Sequence, residues 1–580
     1  MRKKIFSAKT PFALFALFAL LLVGADRAHA AAQIVIIIND GPGEGFNDPT
    51  PAAPVGGNPG TTLGQQRQIA FQHAADIWGA TLDSPEPIFI VAAFNPLAPN
   101  VLGSAGAWDV FSDFTGSGLF PGSEFPQTWY SSALADKRAG RDMDVTSPDI
   151  NAQFSSNFNF YLGLDNNHGP LNDLVAVLLH EFGHGLGFQN FVTEATGANL
   201  GNFTDPDTGR FYPQQTDVYS RYTLDTTNGL HWNDMTQAQR QASAIRFGRV
   251  VWDGPNVTAA VPSVLSFGSP EVRVLSPASI AGTYQFGTAA FGTPIPNLAA
   301  PVTAGVVAAL DAANAAGPAT TDGCTPLTNA AAVSGKIALV ERGTCGFVVK
   351  AKVAQDAGAV GVIIYNNAAN AAAGPAGMAG VDPTVTIPSV SLSRADGLAI
   401  IGQLPGGVTA SIGKDNSIRA GADPLGRARL FMPNPVQGGS SGSHYDSIAF
   451  RNLLMEPAIN PDLTHNLTAP DDLTLELMRD VGWFPDADND GLATAADCDD
   501  TSDFGPTVVI DGCDSGVPNV FFTSGCTLND LIQQLAAGAS NHGDFVSGVS
   551  HLANQLKQAG MITGSEKGAI QSCASGASTP

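Results

Sequence analysis

The sequence predicts an α+β unit interrupted by an α/β module and followed by an acidic loop and a helical tail. Three observations carry this reading: the apolar helical run LVAVLLHEFGHGLGF, a strand–helix–strand stretch rich in Ala, Gly and Val between about 271 and 415, and the acidic DADNDGLATAAD after Trp483. A chain of 580 residues with 44% hydrophobic content is too long for one ordinary core and divides into several domains.

Residues 1–30 read as a secretory signal. Arg2, Lys3 and Lys4 form its basic start, Phe12 to Val23 its apolar stretch, and Ala28-His29-Ala30 its small-residue cleavage site. The apolar stretch falls short of the ~20 residues of a spanning helix, and no later segment supplies one, so the expectation is a secreted protein, periplasmic if the host is Gram-negative. The next segment, 31–270, opens on the β-branched strand AAQIVIIIND. A helical TTLGQQRQIAFQHAADIWGATL follows, then a second strand, IFIVAAFNPL. Residues 103–161 are turn-rich. Asn172 and Asp173 stand where the cap of the LVAVLLHEFGHGLGF helix belongs. Residues 191–270 show no pattern that assigns a fold beyond a helix near Thr236 to Arg246. The segment 416–484 returns to aromatic and polar character, with a helix over Asp471 to Val481. Residues 485–515 hold the acidic loop, and 516–580 have helical periodicity without a chemical motif.

His180 and His184 lie four apart on a helix, so their imidazoles leave one face on consecutive turns and suit a single metal ion. Glu181 is placed to act as general base towards a water molecule. H-E-x-x-H in this setting points to zinc, which acidifies water and polarises a carbonyl. Two histidines leave the site incomplete. Position 190, where a nearby third histidine would fall, is Asn190, a poor zinc ligand. Glu194 is too close to the helix to return on a second one. His168 and His231 are reserve ligands, and His444, in GGSSGSHYDSIAFRNLLMEPAI, is the better candidate.

This arrangement resembles leishmanolysin. That family has H-E-x-x-H-x-x-G-F, a long insertion, then G-S-x-x-S-H-W and a methionine turn. The chain offers His180, Glu181, His184, Gly187 and Phe188, then Gly439, Ser440, Ser443, His444 and Leu454-Met455-Glu456-Pro457, with Tyr445 in place of Trp. The resemblance implies a zincin, metzincin-like catalytic domain split between 31–270 and 416–484. It further implies one catalytic zinc on His180, His184 and His444, a supporting turn at Met455, a sharp helix exit at Gly187, and a zinc endopeptidase acting on protein or peptide substrates.

The stretch GKIALVERGTCGFVVKAKVAQDAGAVGVIIYNN resembles the protease-associated domain, with a match covering roughly 271–415. The resemblance implies a non-catalytic module that shapes substrate access or binds partners. In DADNDGLATAAD, Asp486, Asp488, Asp490 and Asp497 take positions 1, 3, 5 and 12 of an EF-hand-like loop, with Leu492 offering its carbonyl, which suits calcium. Six cysteines follow the signal, and sequence proximity groups Cys324 with Cys345, Cys498 with Cys513, and Cys526 with Cys573 as structural disulfides.

The net charge of -24, with only 28 scattered Lys and Arg, argues against a nucleic-acid partner, whose phosphates need clustered cations. The reading from another class is a calcium-stabilised extracellular binding or adhesion protein on a degenerate zincin scaffold. An intact Glu181 speaks against it, since loss of the base would be the first sign of degeneration.

Overall fold

A computed structural model describes residues 32–578 apart from 83, 118–121, 207–208, 316, 485–506, 521–525 and 560. The expected signal segment, the calcium ligands Asp486, Asp488, Asp490, Leu492 and Asp497, and Cys498 lie outside the described residues. The protein is mixed α and β, and no helix among the described residues is long and apolar enough to cross a membrane.

The first core is built on a four-stranded sheet: β1 (Ile34–Ile38), β2 (Ile88–Asn95), β3 (Gly103–Ala107) and β4 (Ile150–Ser155), in the order β1-β2-β4-β3. β1, β2 and β4 run parallel and β3 closes the edge antiparallel to β4. Helices α1 (Leu63–Thr81) and α2 (Leu174–Leu186) pack on this sheet and on each other. Thr62 caps α1 through the Gln65 N–H. Small residues on its inner face, Ala70, Ala74, Ala75 and Gly79, let it approach closely, and the indole N–H of Trp78 donates to the Leu179 carbonyl of α2 at 3.1 Å. α2 runs through the middle of the core with all its residues buried, His180, Glu181 and His184 included alongside its apolar residues.

The unassigned stretch after α2 proves to belong to the same core. A small antiparallel sheet of Thr223–Asp225, Leu230–His231 and Val250–Trp252 takes Ala428–Arg429 as its last strand. Chain from both sides of the interruption is therefore stitched into one layer. Asp480, in the helix Thr474–Asp480, accepts from the Trp252 indole at 2.7 Å and from the Asn256 backbone at 2.8 Å.

Between them stands an eight-stranded sheet with its own apolar interior. Its strands are β5 (Phe267–Ser276), β6 (Gly282–Tyr284), β7 (Gly287–Thr288), β8 (Val302–Ala308), β9 (Ile337–Glu341), β10 (Gly361–Tyr365), β11 (Ser389–Leu392) and β12 (Thr409–Arg419), in the order β6-β5-β12-β8-β9-β10-β11-β7. The chain enters on β5 and leaves on β12, which pair from Phe267↔Arg419 to Ser276↔Thr409. Entry and exit are thus neighbours on one ladder, so the insertion spans no gap in the first core.

The tail carries a third core around the strands Thr507–Ile510 and Cys513–Pro518 and the helices Leu528–Gly538, His542–Gln558 and Gly564–Gly576. The two strands pair as an antiparallel hairpin that straddles the expected boundary at 515. Cys324 pairs with Cys345 as expected. The other groupings, Cys498 with Cys513 and Cys526 with Cys573, are corrected: Cys513 bonds Cys573, 60 residues away, and Cys526 is bonded as well. Proximity in sequence misled because the last helix folds back on the hairpin, bringing the chain's two ends of this unit together.

Peptide mapping under non-reducing conditions should recover a fragment joining Cys513 to Cys573, and Cys573→Ser should lower the unfolding free energy of the tail by about 2–4 kcal/mol.

Candidate metal centre

Asp173 starts α2, its carboxylate accepting from the Val175 and Ala176 N–H groups at 2.8 and 3.4 Å, and the helix carries His180, Glu181 and His184 into the core. Gly187 ends it at φ +136°, a conformation that a side chain would strain. The turn brings the Phe188 carbonyl back onto His184, whose Nδ1 lies 2.8 Å away. His180 Nδ1 meets the Leu454 carbonyl at 2.7 Å, and His444 Nδ1 meets the Ser440 carbonyl at 2.8 Å.

A carbonyl can only accept, so each Nδ1 carries the proton and each Nε2 presents a lone pair. Those three Nε2 atoms face one another at 3.1, 3.2 and 3.3 Å. Without a proton among them they cannot hydrogen-bond to each other, and three buried lone pairs in contact call for a cation. Zinc–nitrogen bonds of about 2.0–2.1 Å at tetrahedral angles separate ligand nitrogens by about 3.3–3.4 Å, which the triangle matches. Among the described residues this is the sole cluster of three or more His, Cys, Asp or Glu able to share an ion. Residues 260 positions apart in sequence thereby form one site.

Burial keeps these rings neutral. It pushes the His180 imidazole down to about 4 and, helped by the neighbouring His180, the His184 imidazole to about 3. His444 falls well below its ordinary value for the same reason, with His184 and His180 adding to it. Burial lifts the Glu181 carboxyl to about 8 against the Ala105 N–H that donates to it.

Glu181 reaches β3, where a Cβ on Gly103 would lie 2.6 Å from its Oε1; glycine there makes room for the carboxylate. Ser155 N–H donates to Leu102 O and Trp108 N–H to Asp149 O, so the even-numbered residues of this stretch pair with β4 and the odd ones turn outwards. Ala105 N–H goes to Glu181 and Ala107 N–H to Gln189 Oε1 at 3.3 Å. The open edge of the sheet therefore borders the metal centre. The G-S-A-G-A run has no apolar alternation, which is why its strand is illegible in the sequence.

Met455 is buried under α2, and a Cβ on Gly183 would fall 2.8 Å from its Sδ. Two buried carboxylates pin the preceding residues: Glu456 accepts from Leu453 N–H at 2.8 Å and Asp472 from Leu454 N–H at 2.6 Å. Asn190 clasps the neighbour of the third histidine, its backbone N–H and its Nδ2 lying 3.1 and 2.9 Å from Ser443 Oγ. Glu194 bonds Asn190 at 3.2 Å. The reserve histidines lie elsewhere. His168 sits against the Leu171 and Pro461 carbonyls, and His231 pairs with Asp253 at 2.7 Å.

Residues 302–400 match the PA domain family model, in agreement with the protease-associated resemblance of the inserted sheet. A probable leucine aminopeptidase 2 of Aspergillus fumigatus is 33% identical over 143 residues, 24% of this chain and 27% of that protein. The minor extracellular protease Vpr of Bacillus subtilis is 35% identical over 77 residues, 13% of this chain and 9% of that protein. The chain thus spans about a quarter or less of the length of these relatives. Among solved structures, BSAP, a zinc aminopeptidase from Bacillus subtilis, aligns at 22% identity and a TM-score of 0.19, over 34% of this chain and 42% of that one, too low to carry an argument. The resemblance to leishmanolysin is corrected by the relatives found: several of them are leucine aminopeptidases, none of those named is a leishmanolysin, and they give the metzincin assignment no support.

The three imidazoles predict acid lability. Their folded values lie below the ordinary 6.5, so their own contribution favours the protonated, unfolded chain as pH falls from about 6.5 towards 4, while the raised Glu181 carboxyl acts in the opposite sense. A chelator dye should register zinc release across that window, because the ligand imidazoles must be free of protons at Nε2 to hold the ion; a flat release profile would oppose the assignment.

Proposed function

We propose that the protein is a zinc-dependent peptidase that cleaves internal bonds of extended protein substrates, exported by the segment before β1. The observation that carries the reading is the triangle of three proton-free Nε2 atoms beside a buried carboxylate. His180, His184 and His444 would hold the ion, with Met455 beneath the helix and Gly187 orienting His184. When bound, zinc supplies Lewis acidity that polarises the scissile carbonyl and acidifies water.

The remaining chemistry belongs to the chain. Glu181 takes the proton of the attacking water on its carboxylate and passes it to the leaving amine. Burial favours its neutral form, and a dication close by favours the ionised one, so the base is armed when the site is loaded. An extended peptide can pair with the outward-facing backbone of residues 103–107 on the edge of β3 once it displaces the Glu181 and Gln189 side chains from the Ala105 and Ala107 N–H groups. Glu181 meets this strand at Gly103 and Ala105, and the strand runs on to Ala107, so substrate can extend past the base. This favours internal cleavage. The names of the leucine aminopeptidase relatives favour removal of a free N-terminal residue instead. Calcium binding by Asp486, Asp488, Asp490, Leu492 and Asp497 is a separate part of the proposal, resting on their spacing.

Glu181→Gln should retain zinc and lose activity on unfolded casein by about 10²–10⁴-fold, whereas His444→Ala should lose both. An N-acetylated peptide should be cut as readily as its free counterpart; resistance of the blocked peptide would make the enzyme an aminopeptidase, and retention of zinc and activity by His444→Ala would remove His444 from the site.

A further inference from the structure

The segment that delivers His444 is a closed loop. Leu430 bridges Tyr445 at its base, Phe431 N–H donates to the His444 carbonyl at 2.8 Å, and Gly442 N–H donates to the Phe431 carbonyl at 3.0 Å. Inside the loop, Gln437 N–H donates to Ser441 Oγ at 2.9 Å, and the Ser440 and Ser441 N–H groups donate to the Gln437 carbonyl. This fixes the Ser440 carbonyl that orients the His444 ring. One flank of the loop is held by Asn190 from the end of α2, through Ser443.

The opposite flank rests on the inserted PA domain. Asn434 N–H donates to Oε1 of Gln285, between β6 and β7, at 2.9 Å. Gly374, in the loop after β10, approaches so closely that a Cβ there would lie 2.9 Å from the Asn434 carbonyl oxygen and 3.4 Å from Pro435 Cδ. That wall is itself firm: the buried Asn366 donates to the Gly374 carbonyl at 2.7 Å, and Arg342 donates to Asn366 Oδ1 at 3.1 Å. Neither Gln285 nor Gly374 is near the metal cluster in sequence, and both touch the loop that carries His444.

We infer that the inserted domain is a positioning element of the metal centre: Gln285 and the glycine surface at Gly374 set the Asn434–Pro435 stretch, and through it the Ser440 carbonyl and His444. The inference rests on the reading that His444 completes the zinc site. It gives the insertion a role in forming the site, separate from any contact with substrate.

The test uses the full chain as wild type, Gln285→Ala, Gly374→Ala, His444→Ala and Gly377→Ala, the last a control whose added Cβ meets nothing within 4 Å. Zinc affinity is measured by chelator competition, coordination by the visible absorption of the cobalt-substituted protein, and folding by the thermal midpoint of the metal-free form. Gln285→Ala and Gly374→Ala should each weaken zinc about tenfold, the low end for outer supports of a metal site, and shift the cobalt band while leaving the metal-free midpoint near that of wild type. Gly377→Ala should match wild type throughout. Wild-type affinity and spectrum in both variants, or a loss that merely tracks the metal-free midpoint, would overturn the inference. A wild type that binds no zinc, or a His444→Ala protein that binds it unchanged, would instead remove the underlying site and the inference with it.

Discussion

The arrangement on which the structure turns is the commitment of three imidazole protons to three backbone carbonyls. Because His180, His184 and His444 each donate Nδ1–H to a carbonyl, their Nε2 lone pairs are left facing one another in a dry core. Such a triangle is unfavourable unless a cation fills it. Much of the surrounding structure serves those three carbonyls. The turn at Gly187 supplies Phe188, the carboxylates of Glu456 and Asp472 fix the segment that supplies Leu454, and the closed loop after Leu430 supplies Ser440.

The fold reconciles this site with a large interruption. A loop's closure entropy grows only with the logarithm of its length, and here the interruption folds on its own core and is bounded by paired strands, with Phe267 opposite Arg419. The returning chain is then captured twice, at Ala428–Arg429 by the strand Val250–Trp252 and at Asp480 by Trp252 and Asn256. These captures hold the chain on either side of the His444 loop against the first core.

What the sequence made legible were features that depend on local spacing. The four-residue step from His180 to His184, the cap at Asp173 and the apolar strand IVIII are local, and the structure has them where the pattern puts them. His444 is singled out as a partner through its likeness to the leishmanolysin motif ahead of Met455, spacing alone leaving it open, and the structure brings it within 3.2 Å of His184. Features set by tertiary contact were illegible. β3 is made of Gly, Ser and Ala and is a strand only because β4 pairs with it. Asn190 looked like a missing ligand, and its use as a clasp on Ser443 depends on chain far downstream. Cysteine proximity failed in the tail because a helix returns to the hairpin. The leishmanolysin resemblance rested on motifs around the histidines, whereas the relatives found include leucine aminopeptidases, so motif spacing selected residues without fixing a family.

Zinc K-edge absorption of the full-length protein tests the central claim most directly. The account predicts one zinc per chain with a first shell of nitrogen and oxygen at about 2.0–2.1 Å and the outer-shell scattering of three imidazoles. A shell containing sulfur, scattering from two or fewer imidazoles, or a protein that takes up no zinc would contradict it.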